Sequence, residues 1–247
     1  MPAVLVHGVP ETPAVWEHLR SELNRTDVVT PQLPGFGCPR PAGFGATKEE
    51  YVQWLVSELE TIAGQSPIDL VGHDWGGGFA VRVVSTRPDL VRSWVSDAAG
   101  IGDVDFEWHD FAKIWQTPGE GEQFFEQQMA ATPEERGTVF EMFGVPSDRA
   151  VALASWADPV MAESILALYR SAVDVGREWG PDFRDIPKPG LVVVPTEDPF
   201  LSGDGAATSA RRAGAPVVKL EGIGHWWMLQ DPGKGAQVLE EFWASLD

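Results

Sequence analysis

An aspartate stands at the centre of the segment Gly72–Gly76 (GHDWG), which follows an apolar run and precedes a helical pattern. Small residues two positions to either side of a reactive side chain are typical of a nucleophile elbow, a sharp strand-to-helix turn that exposes the side chain above a sheet. Serine is the usual residue there, whereas a carboxylate suits displacement at saturated carbon. The sequence therefore predicts that Asp74 forms an alkyl ester, either by opening an epoxide or by expelling a halide.

The residues that would complete this chemistry should follow the nucleophile in the order acid, then histidine. His225 lies in the loop after the last predicted strand, and we expect it to activate the water that cleaves the ester. Asp198, in the loop after the fifth predicted strand, is the favoured acid partner. Glu197 beside it and Asp97, at the end of the fourth predicted strand, remain alternatives.

Donors for the developing negative charges are expected at three positions. The backbone N–H groups of Val9 and Trp75 should form an oxyanion hole for the ester hydrolysis step. An epoxide also needs an acid for the oxygen that is released, and tyrosine is suitable. Of the two tyrosines, Tyr51 lies in a packing helix, and for Tyr169 both core packing and ring opening remain open. A halide would instead need weak N–H donors, and the Trp75 indole is next to the nucleophile.

Aromatic side chains near these motifs are candidates for a substrate pocket. The candidates are Trp75, Trp108, His109, Phe111, Trp115 and Trp226. They would suit an aromatic or polycyclic small molecule, and core packing explains the tryptophans equally well. The hypothesis includes no metal ion and no cofactor.

Strand and helix patterns alternate along the chain, which predicts an α/β fold with a mostly parallel sheet of about six strands. The predicted strands are Ala3–Val6, Val28–Leu33, Ile68–Gly72, Val91–Val95, Leu191–Val194 and Pro216–Leu220. The predicted helices of this part are Pro13–Leu23, one capped by Thr47, Gly76–Ser85 and Gln237–Leu246. Only helical stretches, Gly121–Ala131, Pro133–Phe143 and Asp158–Val175, are predicted between about residues 102 and 185. We therefore expect a core of residues 1–101 and 186–247, with residues 102–185 inserted as a helical cap.

The composition limits the class of protein. The 18 basic and 37 acidic residues give a net charge of −19, which disfavours binding to nucleic acid or to anionic membranes. The single cysteine, Cys38, cannot form an internal disulfide and suggests a reducing compartment. Neither a secretory leader nor an apolar run of membrane-spanning length is recognised. A cytoplasmic monomer or homodimer that acts on a small molecule is expected.

Together these motifs resemble the α/β-hydrolase superfamily, in particular its aspartate-nucleophile branch of epoxide hydrolases and haloalkane dehalogenases. His7–Thr12 is similar to the H-G-x-P-E region of epoxide hydrolases, and Leu33–Gly37 resembles their next loop. Trp115–Gly119 resembles their F-Q-x-P-G stretch, and Leu168–Arg170 their ring-opening tyrosine site. The resemblance implies an α/β-hydrolase fold and an epoxide hydrolase. A haloalkane dehalogenase and a non-catalytic ligand-binding relative are the alternatives.

The sequence departs from each of these patterns at a donor position. Epoxide hydrolases of this type usually present two cap tyrosines, but the stretch before Gln116 holds Phe111 and Trp115 instead of a second one. Haloalkane dehalogenases often have asparagine where Val9 stands, and fluoroacetate dehalogenases usually have arginine where Trp75 stands. Tyr169 would therefore act alone or with another donor, such as Trp108 or His109.

Overall fold

One parallel sheet forms the centre of the molecule. The computed structural model describes residues 1–64, 66–155, 157–201 and 204–246. The strands are β1 (Ala3–Val6), β2 (Val28–Val29), β3 (Ile68–Gly72), β4 (Val91–Ser96), β5 (Gly190–Pro195) and β6 (Val217–Leu220). Their order is β2-β1-β3-β4-β5-β6, and all neighbours are parallel. The predicted six-stranded sheet is confirmed. The strand order reverses between β1 and β3, and ligands of such sheets bind where the carboxyl ends of the strands meet this switch point.

The helices fall into two groups along the chain. Those that flank the sheet are α1 (Glu17–Glu22), α2 (Lys48–Ala63), α3 (Trp75–Thr86), α10 (Gly205–Ala213), α11 (Trp227–Gln230) and α12 (Pro232–Ala244). Between β4 and β5 lie α4 (Asp110–Gln116), α5 (Glu120–Ala130), α6 (Pro133–Met142), α7 (Ser147–Ser155), α8 (Pro159–Arg170) and α9 (Val175–Trp179). We call this second group the cap helices. No single helix in the described part of the chain is long and apolar enough to cross a membrane, although α7 and α8 would reach that length together across an 88° bend.

Side chains that alternate along the strands enter two apolar cores, one on each face of the sheet. Leu70 packs on the side of Leu55 from α2 and Phe79 from α3. Val71, the next residue of the same strand, packs on the side of Leu239 from α12. A strand buried on both faces is a continuous apolar run, which explains why the central strands could be recognised in the sequence.

The second strand is much shorter than predicted. It pairs with β1 only at Val28 and Val29, whereas the pattern predicted a strand to Leu33. Pro31 has no N–H group to donate to the ladder, and the N–H group of Leu33 donates to Nε2 of His7 at 3.1 Å. The chain therefore leaves the sheet early and forms the loop that ends at Gly37.

Helix boundaries also depart from the predictions in specific ways. The helix predicted over Pro13–Leu23 begins as a 3₁₀ turn, Pro13–Trp16, before α1. The helix predicted to reach Val175 ends with α8, and a separate helix α9 follows. The helix α4 was not predicted, because its N-cap is His109, whose Nδ1 accepts the N–H of Ala112. Histidine is not among the residues that signal a helix start.

Candidate active site

The elbow that carries Asp74 is a tight turn between β3 and α3. Asp74 has a φ of +50° and a ψ of −122°, a backbone conformation that non-glycine residues rarely adopt. A Cβ atom at Gly72 would lie 2.2 Å from the carbonyl oxygen of Gly76, and one at Gly76 would lie 2.2 Å from that of Val6. Glycine is therefore required on both sides because the backbones touch there. The turn leaves the Asp74 carboxylate at the carboxyl edge of the sheet.

Backbone N–H groups hold one side of this carboxylate. Oδ1 of Asp74 accepts the N–H of Val9 at 2.8 Å. The backbone N–H of Trp75, the next residue, lowers the pKa of the same carboxyl group. Both predicted oxyanion donors therefore lie next to Asp74, and the Val9 N–H would face the carbonyl oxygen of an ester formed on Oδ2.

His225 and Asp198 meet on the other side of the carboxylate. Nδ1 of His225 lies 2.8 Å from Oδ2 of Asp198, and Nε2 of His225 lies 3.9 Å from Oδ2 of Asp74. Asp198 also accepts the N–H of Phe200 at 2.8 Å, which fixes the loop after β5. The neighbouring Glu197 is exposed. Of the three acids considered, Asp198 is the one that contacts His225.

Asp97 instead belongs to a separate buried network under the elbow. Its Oδ2 lies 2.5 Å from Nδ1 of His73, and its Oδ1 accepts the backbone N–H of Asp74 at 2.8 Å. Nε2 of His73 lies 3.0 Å from Oε1 of Glu11. The indole N–H of Trp227 also donates to Asp97, at 2.6 Å. This Glu11–His73–Asp97 network anchors the backbone of Asp74.

The network and its surroundings change the charge states of the site. Burial lowers the pKa of His73, but the adjacent carboxylates of Asp97 and Glu11 outweigh it and hold that pKa well above its ordinary value. Burial raises the pKa of Asp74 to about 6, against the opposing effect of the charges on His225 and His73. The imidazole rings of His73 and His225 are 4.6 Å apart. A cationic His73 therefore lies directly under the nucleophile and its histidine.

Glu11, His73 and His225 also form a group with metal-ligand spacing. One ligand atom from each lies within 4.8 Å of the others, and all three residues are buried. Glu11 and His73 already pair with each other, and Glu11 accepts a further hydrogen bond from the Trp226 indole. Their polar atoms are therefore satisfied by the protein itself.

A large apolar cavity opens above Asp74 and His225. Its volume, including the open mouth, is about 970 Å³. Its walls come mainly from the cap helices, and among the predicted residues it is lined by His109, Phe111, Trp115, Tyr169 and Trp226. Phe111 is about one-third exposed, and the other aromatic residues of this set are more buried. A cavity of this size would take an aromatic or long aliphatic ligand.

Tyr169 is almost fully buried in this cavity at the end of α8. Its ring packs against the indoles of Trp75, Trp108 and Trp115 at centroid distances of 5.5, 5.1 and 4.8 Å. Burial and the nearby Asp74 carboxylate raise its pKa well above the ordinary value. Tyr169 therefore keeps its proton at every pH at which the protein would work.

The other candidate donors differ in their availability. The Trp108 indole N–H donates to the carbonyl of Ala172 at 2.8 Å, which occupies it. Nδ1 of His109 accepts a backbone N–H, and burial lowers the pKa of His109 to about 4, so the neutral ring carries its proton on Nε2. The indole N–H groups of Trp75 and Trp115 are buried and make no hydrogen bond of normal geometry among the described residues. The Trp75 indole lies close enough to the Tyr169 hydroxyl to oppose the rise in the pKa of Tyr169.

The sequence did not predict roles for Glu11, His73 or Phe200. Glu11 lies in the loop after β1 and His73 directly before the nucleophile, so their positions in strand-end loops were the available signal. The Phe200 ring lies 4.9 Å from both His225 and His109. These contacts join residues far apart in sequence, so no local pattern could reveal them.

Comparison with known proteins agrees with the fold. The sequence profile described as the alpha/beta hydrolase family matches residues 3–238. A haloalkane dehalogenase from Bradyrhizobium elkani superposes with a TM-score of 0.75 at 20% identity, covering 99% of this chain and 91% of the other. At that identity the similarity concerns the fold alone.

Curated relatives carry several activities. An (E)-2-((N-methylformamido)methylene)succinate hydrolase from Acinetobacter baylyi is 23% identical over 97% of this chain and 89% of its own length. An enzyme of Siraitia grosvenorii named epoxide hydrolase 2 is 36% identical, but over 38% of this chain and 31% of its own length. The relatives therefore differ in the bond that they cleave.

Proposed function

The chain belongs to the alpha/beta hydrolase family, and on that premise we propose that it is an epoxide hydrolase that works through an ester on Asp74. The observation that carries the proposal is the position of a carboxylate at the elbow. Its Oδ1 is held by the N–H of Val9, and its Oδ2 faces His225 beneath the apolar cavity. The similarity to an epoxide hydrolase of Siraitia grosvenorii agrees with this assignment.

In the first step, Oδ2 of Asp74 attacks one ring carbon of the epoxide. The bond between this carbon and the ring oxygen breaks, and its electron pair passes to the oxygen. Tyr169 protonates that oxygen, because its raised pKa keeps the hydroxyl proton available. The Nε2–H group of His109 is the second donor in this proposal, since the Trp108 indole is already engaged. The products are an alkyl ester on Asp74 and a tyrosinate.

In the second step, His225 takes a proton from water while the water oxygen adds to Cγ of Asp74. The negative charge on Oδ1 is stabilised by the N–H groups of Val9 and Trp75. When the intermediate collapses, the bond between Cγ and Oδ2 breaks and His225 protonates the departing oxygen. Asp198 orients the imidazole and stabilises its cation. The new carboxyl group loses its proton, Tyr169 regains one, and the diol leaves.

A haloalkane dehalogenase is the second candidate, and one observation favours it. The Trp75 indole N–H is buried without a partner among the described residues, and Trp75 adjoins the nucleophile. A weak donor in this place would bind a departing halide. The same ester and the same hydrolysis step would follow, so the two candidates differ in the leaving group alone.

The decisive experiment uses His225→Gln, which should form the ester but hydrolyse it slowly. The variant is incubated with styrene oxide or with 1-bromohexane, and the intact protein is weighed by mass spectrometry. We expect a mass increase equal to the whole epoxide, located by peptide mapping on Asp74. An increase equal to the hexyl group alone, seen only with the bromide, would assign the protein as a dehalogenase.

Two controls keep the result specific. The double variant Asp74→Ala, His225→Gln should give no adduct, since the attacking carboxylate is absent. Glu197→Gln in the His225→Gln background should label as fully as His225→Gln alone, because Glu197 is exposed and has no contact with His225. Binding of styrene oxide without any adduct would instead indicate a ligand-binding protein that lacks catalysis.

A further inference from the structure

Two cavities, not one, meet at the nucleophile. Besides the large cavity, a second of about 520 Å³, also measured with its open mouth, reaches Asp74 from another side. The two share four lining residues: Asp74, His109, Phe200 and His225. The attacking carboxylate and its histidine therefore lie where the two spaces join.

The boundary between the cavities is formed by two aromatic rings. Phe200 contacts His109 and His225 at the same centroid distance, 4.9 Å. His109 comes from the start of the cap helices, and Phe200 from the loop after β5. Both rings line both cavities, so a substrate that extends from Asp74 into the two spaces would pass beside them.

The residues that line only the smaller cavity are largely apolar. They are Ala98, Gly100, Ile101, Phe106, Trp108 and Leu201, together with Trp75 and two carboxylates. Both oxygens of Asp97 and both of Asp198 already accept hydrogen bonds. The Trp75 indole N–H has no hydrogen-bond partner among the described residues. The remaining described walls that belong to this space alone are apolar and suit an apolar group.

We infer that the preferred substrates are internal epoxides, with a substituent on each ring carbon: a large apolar arm for the cap cavity and a compact apolar arm for the smaller one. This inference rests on the proposed function. A terminal epoxide would fill the large cavity and leave the smaller one empty. Each methylene that an apolar pocket accepts contributes roughly 1–3 kcal/mol, or about 10–200-fold in kcat/KM.

The test compares styrene oxide with trans-β-methylstyrene oxide, which differ by one methyl group on the second ring carbon. Ala98→Leu adds bulk to the smaller cavity. Ala162→Leu makes the same change in the large cavity, because Ala162 lines the large cavity and not the smaller one. We expect Ala98→Leu to lower the kcat/KM ratio of internal to terminal epoxide about tenfold. Ala162→Leu should leave this ratio unchanged.

The results that would contradict this inference differ from the result that would contradict the proposed function. A kcat/KM ratio that stays unchanged in Ala98→Leu would overturn the inference. If both kcat/KM values fell equally, water and not a substrate arm would use the smaller cavity; if neither fell, the cavity would have no role. Should Ala98→Leu fail to fold, Leu201→Ala, in a half-buried loop residue, tests the opposite change. It should raise the relative kcat/KM of trans-stilbene oxide, whose second arm is larger, and no increase would contradict the inference. Absence of turnover with every epoxide, with no adduct in His225→Gln, would sink the proposed function itself.

Discussion

Asp74 is a carboxylate whose ionisation is opposed by burial and supported by two imidazoles. Its pKa of about 6 lies above the ordinary value because burial outweighs the charges of His225 and His73. Only the ionised form can attack carbon. The nucleophile is therefore fully available at pH 7–8 and is lost as the pH falls through about 6.

We predict that the rate constant for ester formation falls tenfold per pH unit well below pH 6. Single-turnover stopped-flow fluorescence would measure it, since Trp75 and Trp115 lie near the reacting atoms. Tyr169 has a raised pKa, so no matching loss is expected up to about pH 9. A rate constant that stays flat down to pH 4.5 would show that Asp74 remains ionised and contradict the prediction.

The two tyrosines offer a matched pair for testing the ring-opening donor. Tyr169→Phe should slow ester formation about a hundredfold, the usual contribution of a general acid, while ester hydrolysis keeps its rate. Tyr51 is equally buried but donates to the carbonyl of Pro34, outside the lining of both cavities. Tyr51→Phe should therefore leave both steps unchanged at temperatures where the protein is folded. Rates within twofold of wild type for Tyr169→Phe would move the role to His109.

At this scale the sequence predicted the placement of Asp74 and His225 beside each other, since each lies in a strand-end loop with a local signature. It favoured Asp198 as the acid but left Asp97 as an alternative, because both follow strands that end at the same sheet edge. The choice depends on which imidazole each carboxylate faces. That requires the relative positions of His73 and His225, which are 152 positions apart in the chain.

At the scale of elements, one lysine joins the sheet-flanking helix α2 to the end of α8. Lys48 is buried, and its Nζ donates to the carbonyl of Ser171 at 2.6 Å and pairs with Glu178 at 2.8 Å. Its backbone N–H donates to Oγ of Ser171 at 2.8 Å. Ser171 is the C-cap of α8, two residues after Tyr169. We therefore propose that Lys48 holds the end of α8 in place and so positions Tyr169 relative to Asp74.

Lys48→Met should consequently slow ester formation about tenfold, because small displacements of a reacting group are costly. Ester hydrolysis, which does not use Tyr169, should keep its rate. Lys48→Arg should restore part of the loss, and Lys219→Met, in an exposed lysine of β6, serves as the control. The two steps are separated by single-turnover and burst kinetics. An equal slowing of both steps would indicate general destabilisation and not a role in positioning.

The cap helices show where element prediction fails. The helices α5, α6 and α8 were predicted as helical stretches, and in the structure α6 and α8 begin at the caps Thr132 and Asp158. The helix α4 was not predicted, because its N-cap, His109, is an unusual residue at that position. The same hydrogen bond that starts α4 sets the proton position on His109, so the sequence could name His109 as a candidate donor but not say which ring nitrogen carries the proton.

At the scale of the whole molecule, the sheet was predictable and the cavities were not. Buried parallel strands are continuous apolar runs, which a sequence displays directly. The cavities depend on how the cap helices lie over the carboxyl edge, and no local pattern encodes that placement. Among the described residues, two cavities reach Asp74, and both are lined by Phe200, which the sequence did not single out.

Two nearby residues of the loop after β5, Asp198 and Phe200, constrain which substitutions this protein can accept. Asp198 orients the histidine, and Phe200, two residues later, borders both cavities and donates its N–H to that same carboxylate. Substitutions in this loop that change the shape of the two cavities should therefore also disturb Asp198, so that substrate range and water activation change together. His109, on the opposite wall, belongs to the cap. Adaptation to new substrates should accordingly accumulate in the cap, while the loop drifts slowly.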